Sequence, residues 1–165
     1  MGFQTKVSTY PSIGAPGQEV NPGQAIYTAE NYISDGTLTA GGFAFGSTVT
    51  GTGTAVSFKA AGATGTGLIG FVERVFTGVI TNPLTEAVTV YALGASAPIA
   101  LRGQFYASAT GAVTEGQSVL CDPATGKVTY GASKAANDTG WIVHLPNGLA
   151  TAAEGDIVIY ERIGA

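Results

Sequence analysis

The stretch GTGLIGFVERVF, Gly65 to Phe76, decides between two fold classes. Its first six residues spell G-x-G-x-x-G, the glycine pattern of a dinucleotide-binding loop. Such a loop needs a helix after it, because the pyrophosphate sits on the helix N-terminus. Here the glycines lead into Phe71-Val72-Glu73-Arg74-Val75-Phe76, a β-branched and aromatic run with no helical period and no cap. The acidic residue about 20 positions on that would hold a ribose is missing. Glu86 lies closer and follows the turn pair Asn82-Pro83. With 25 glycines in 165 residues, such a triplet arises by chance. The stretch therefore reads as a glycine-rich loop, AAGATGTG, entering a strand, with Gly70 allowing a neighbouring backbone to come close. Nucleotide binding drops out, and so does an alternating β-α chain.

The same β character extends outward in both directions. GFAFG and AVSFKA precede the stretch; AVTVYAL, IALRGQFYASA, SVLCDPATGKVTY, GWIVHL and DIVIYERI follow it. In IALRGQFYASA, Leu101, Phe105 and Ala107 alternate with Arg102, Gln104, Tyr106 and Ser108, as a strand with one buried face requires. In DIVIYERI, Ile157, Ile159 and Ile163 share a face. Asp122-Pro123 and Gly126 carry hairpin chemistry, since proline presets φ and glycine accepts a positive one. Short strands separated by turn signals predict an all-β chain: one compact β-barrel or β-sandwich body over residues 36–165.

Residues 1–35 differ. Pro11, Pro16 and Pro22 remove backbone donors, and Gly14, Gly17 and Gly23 weaken local structure, which predicts an extended N-terminal arm. Yet it carries Phe3, Val7, Tyr10, Ile13, Val20, Ile26 and Tyr27, with only Lys6, Glu19 and Glu30 charged. A free tail of that composition would be sticky. These seven apolar residues are the candidate contacts to a neighbouring molecule. The arm is expected to lie largely outside its own body, so that deleting residues 1–27 leaves a soluble core.

Composition limits the function. Charged residues make up 11%, the net charge is −4 and the mean hydropathy is +0.27. The apolar excess belongs in a core and in subunit interfaces, predicting a homo-oligomer, a dimer or trimer. No run reaches the roughly 18 apolar residues of a membrane helix. The seven basic residues are scattered, which leaves no row of cations for nucleic acid. The opening MGFQTKV lacks the apolar core of a secretory signal, so synthesis in a cytoplasm is expected.

Catalytic sets fail for want of parts. His144 is the single histidine and Cys121 the single cysteine. Neither lies in a nucleophile elbow, and the two are too few for a zinc site. His144 reads as structural or surface, and Cys121 as a small buried hydrophobe. Glu154 and Asp156 flank Gly155 in what reads as a solvated turn. No catalytic, cofactor-binding or metal-binding residue is assigned, and no enzyme activity is expected. Tyr27, Tyr32, Tyr106 and Trp141 leave open a carbohydrate-binding platform.

Three stretches resemble a known family. Phe3-Gln4 near the start, Asn21-Pro22 in NPGQAIYTAE, and Gly42-Phe43-Ala44-Phe45 in GTLTAGGFAFG are similar to the opening of tailed-bacteriophage structural cement proteins, small β-rich head decoration proteins. GQSVLCDPATGKVTY resembles that family's central hairpin, and GWIVHL with EGDIVIYERI its closing strands. The chain departs from the pattern at Gly42, where an arginine is common, and at Phe45, where a tryptophan is. The resemblance implies a virion protein without catalysis. It would sit on the outer capsid surface and bridge major capsid protein subunits. Another virion component, of tail or spike, is the alternative. A tube protein would need a longer hairpin, and a fibre would show repeats.

Overall fold

The computed structural model describes residues 14–47, 59–75 and 89–164. Its strands in chain order are β1 (Ile26–Tyr27), β2 (Tyr32–Ser34), β3 (Phe43–Ser47), β4 (Lys59–Gly62), β5 (Thr66–Val72) and β6 (Ile99–Ser108). Then come β7 (Val113–Thr114), β8 (Ser118–Cys121), β9 (Val128–Gly131), β10 (Asp138–His144), β11 (Thr151–Ala152) and β12 (Ile157–Arg162). The one helical element among the described residues is the 3-10 turn Pro146–Gly148. The G-x-G-x-x-G stretch is strand β5, hydrogen-bonded to β3 and β6. Gly70 lies so close to β6 that a side chain there would overlap the Ala100 carbonyl oxygen.

One sheet contains most of the chain, in the order β2-β4-β3-β5-β6-β12-β10-β8-β9. β2 runs parallel to β4; the other pairs are antiparallel. β7 and β11 form a separate two-stranded ribbon. The large sheet is folded over on itself. Phe43 of β3 and Trp141 of β10 are four strands apart in the order. Their ring centroids are 6.3 Å apart. Phe71, Phe105 and Tyr160 complete the cluster, with Phe71 lying 5.4 Å from Trp141 and 5.2 Å from Phe105. Among the described residues the path of paired strands ends at β2 and β9, in a folded sheet that encloses the core.

β6 is the crease. Ile99 and Ala100 pair with β5, and the run from Gly103 to Ser108 pairs with β12. Gly103 marks the change of partner with φ +134°, a conformation that L side chains rarely adopt. A β-carbon there would lie 3.1 Å from Ala25 and 3.0 Å from the Phe105 ring. Phe105 and Ala107 are buried, as the alternation predicts, whereas Leu101 is half-buried. The β8–β9 turn is built as its residues predict. Asp122 accepts from the Ala124 amide and the Thr125 hydroxyl, Gly126 adopts φ +68°, and its amide closes on the Asp122 carbonyl at 2.7 Å.

Two sequence expectations need correction. AVTVYAL forms no strand in its described part; Val90 makes a single bridge to Thr39, and Tyr91 is buried in a second core cluster with Leu38, Val72 and Ile99. The second correction concerns the arm, whose residues 1–13 lie outside the described set. From residue 14 to 34 the chain is extended but lies on its own body. Gly17 and Val20 donate to the Tyr106 and Gln104 carbonyls at 2.8 Å, Tyr106 donates back to Gln18, and β1 pairs with Ala100 and Arg102. Phe105 thus pairs with Tyr160 of β12 on one edge and with Glu19 on the other. The arm satisfies the backbone groups that an uncovered β6 edge would leave open. Prolines do not prevent this, because Pro16 and Pro22 flank the hydrogen-bonded positions instead of occupying them.

Candidate contact surface

Strand alternation divides the β6–β12–β10 layer cleanly. Phe105, Ala107, Val158, Tyr160, Trp141 and Val143 point into the core. Their neighbours face outward in register: Tyr106 opposite Ile159, Gln104 opposite Glu161, Ile142 opposite Glu161, His144 opposite Ile159. This outer face is mixed, with two isoleucines open to solvent among polar side chains. Ile142 is 43% exposed, and Ile163, one residue past the end of β12, is 81% exposed. Ile26, on the neighbouring arm, is 52% exposed.

A polar chain crosses the same face. The Asn21 side-chain amide donates to Gln104 Oε1 at 2.7 Å, and Gln104 Nε2 donates to Glu161 Oε1 at 2.6 Å. Glu161 Oε2 meets His144 Nε2, and His144 Nδ1 meets Glu115 Oε1 at 2.6 Å. Glu115 Oε2 in turn accepts the Leu145 amide. A carboxylate oxygen thus stands at each ring nitrogen. The chain links the arm, β6, β12, β10 and the segment before β8.

Beside this face lies a groove of about 300 Å³ between the arm and the end of β12, with Gln24, Ile26, Arg102, Gln104, Arg162 and Ile163 in its walls. The Arg162 guanidinium also lies over Gly140, where a β-carbon would be in ordinary contact with it. Neither Arg102 nor Arg162 has an ion-pair partner among the described residues.

The structure distributes the sequence candidates unevenly. Phe3, Val7, Tyr10 and Ile13 lie outside the described residues. Val20 is half-buried on the β6 edge, and Ile26 and Tyr27 are exposed in β1. The Tyr27 hydroxyl bonds Glu73, and burial with the Glu73 charge raises the phenol above its ordinary range. Burial likewise raises Glu73. Cys121 and His144 are not brought together. Cys121 faces the core with its thiol pushed up to about 11 by burial, while His144 is on the outer face. Asp156 accepts the Ala153 amide in the turn before β12. Trp141 has no exposed surface, which removes it from any sugar platform. Sequence reasoning placed the candidate contacts in the arm and did not single out Arg102, Ile142 or Arg162, which the fold brings to this side of the molecule. The strand periodicity marked two faces, but with isoleucine on one and valine on the other it did not say which is wet.

A folded all-β body with large apolar side chains left exposed on its surface fits the class of structural, contact-making proteins. Residues 3–162 match the family described as structural cement protein (E217 gp24/Pam3 gp6), and the chain belongs to that family of phage proteins. Its role is that of a capsid cement, or decoration, protein of the virion. No curated protein matches the chain.

Proposed function

We propose that the protein binds the outer surface of the phage head and bridges neighbouring major capsid protein subunits, without catalysis. The observation that carries this is the outer face of β6, β12 and β10. There Ile142 and Ile163 stand exposed around side chains that already satisfy one another, and the arm adds Ile26 and Tyr27 at its edge. A monomer with large apolar side chains such as Ile26, Ile142 and Ile163 open to solvent gains by covering them. Phe3, Val7, Tyr10 and Ile13, which lie outside the described residues, are proposed as further contacts, and additional copies of the chain, as a dimer or trimer, add to them. Many modest contacts on one shell sum to a large stabilisation, because each bound copy is held beside the next joint.

Purified heads lacking the protein test this. Added protein should co-elute with the heads and raise the temperature at which they open. Co-elution that survives Ile142→Asp combined with Ile163→Asp would place the contact elsewhere.

A further inference from the structure

We propose that the groove between the arm and the end of β12 seats an acidic segment of the capsid protein, with carboxylates on Arg102 and Arg162 and apolar side chains against Ile26 and Ile163. The proposal rests on the capsid reading above and names the chemistry of the partner at one place.

Charge argues for the occupant. The chain carries −4 overall, yet two of its few guanidiniums open into one groove. Lys59 is matched on the molecule itself by Glu30 at 2.6 Å. Arg102 and Arg162, like Arg74, Lys127 and Lys134, have no ion-pair partner among the described residues, and the two line one groove together. Glu161 stands in the same wall but does not neutralise them by contact. Its side chain is 12% exposed, and its two oxygens are taken by Gln104 and His144. A guanidinium recognises a carboxylate through two parallel hydrogen bonds, and the flanking isoleucines exclude water around them. A row of phosphates asks for more cations than two. A second copy of this chain meeting it groove to groove is a weaker match, because like charges would then face each other. The acidic segment therefore comes from the shell.

The test compares wild-type protein with Arg102→Glu combined with Arg162→Glu, and with Lys127→Glu as an exposed basic control on the β8–β9 turn. The probe is purified heads lacking this protein, titrated from low to high salt. The double variant should bind at least about tenfold more weakly, as expected for reversed charges at a contact. Wild-type affinity should fall with salt more steeply than that of the double variant, and Lys127→Glu should match wild type. Circular dichroism and melting check the fold, and Arg102→Gln with Arg162→Gln replaces the double variant if reversal unfolds the protein. Equal binding by wild type and the folded double variant overturns the groove but leaves capsid binding standing. Sedimentation of the free protein provides a second arm: loss of self-association in the double variant, with head binding intact, assigns the groove to a second copy and overturns the proposal. Failure of wild type itself to bind heads removes the capsid reading and the groove's occupant together.

Discussion

His144 Nε2 stands 2.5 Å from Glu161 Oε2, and this contact ties β10 to β12 across the outer face. Removing the imidazole leaves Glu161, which is mostly buried, with one oxygen unpaired. His144→Ala should therefore lower stability by about 1–2 kcal/mol, the cost of a lost charge-assisted hydrogen bond tempered by partial exposure. Gln at 144 should recover part of the loss by donating to one carboxylate. Thermal unfolding of the three proteins decides it; an unchanged melting temperature in the alanine variant would mean that the chain of polar groups carries no stability.

Glu73 gives a pH dependence with a definite sign. Burial first, and the nearby Glu19 charge, raise its carboxyl, although the hydrogen bond from Tyr27 pulls the other way. A carboxyl raised in the folded state contributes stability that is full below the unfolded value, about 4.3, and is lost as pH rises through the folded value. Glu73→Gln should therefore melt higher than wild type near neutral pH, and the difference should shrink on acidification toward pH 4. Asp35 works in the opposite direction. Burial raises it, but hydrogen bonds from Thr37 and Ser47 outweigh this and hold it low, so its contribution is lost as pH falls. Asp35→Asn should cost stability near neutral pH and less in acid. Equal melting shifts at both pH values would refute either assignment.

Gly103 tests the crease. A side chain at φ +134° meets Ala25 of the arm and the Phe105 ring. Gly103→Ala should cost about 1–3 kcal/mol, combining backbone strain with the displaced arm. Proteolysis should then cut within residues 14–27 faster than in wild type. A variant that melts like wild type would show that β6 bends without needing glycine.

Truncation separates two parts of the arm. Removing residues 1–27 strips the hydrogen bonds that Gly17, Val20 and β1 make to β6, and should yield an unstable, aggregating protein. Removing residues 1–13 alone should leave the melting temperature close to wild type and weaken retention on heads. A stable, soluble 28–165 fragment would return the whole segment to an arm free of its body.

Cys121 should be inert. Its thiol is buried and pushed up to about 11, which leaves little thiolate at neutral pH. A disulfide reagent should react slowly with the folded protein and rapidly in denaturant. Fast reaction in the native state would mean that the β8–β9 hairpin opens readily.

Much of the strand pattern was legible because it is a local property. Alternation in IALRGQFYASA and DIVIYERI, the Asp122-to-Gly126 turn and the missing helix after Gly70 are set by sterics within a few residues. They correspond to β6, β12, the β8–β9 turn and β5. The contact face was less legible. Arg102 and Arg162 are 60 positions apart, and only the β6–β12 register places them in one groove. The glycine at 103 looked like one of 25, and nothing local revealed that a partner change occurs there.

By itself the sequence determined that the chain is β, where the β8–β9 turn falls, and which side chains alternate. Those features depend on φ, on β-branching and on the period of a strand. The tertiary structure alone decided that the sheet folds until Phe43 touches Trp141, that residues 17–28 cover the β6 edge, and that the isoleucines of β10 and β12 face out while their valines face in. Long-range pairing made those choices. A strand with apolar residues on both faces can bury either one, and the aromatic cluster, with the larger area to remove from water, took the inside.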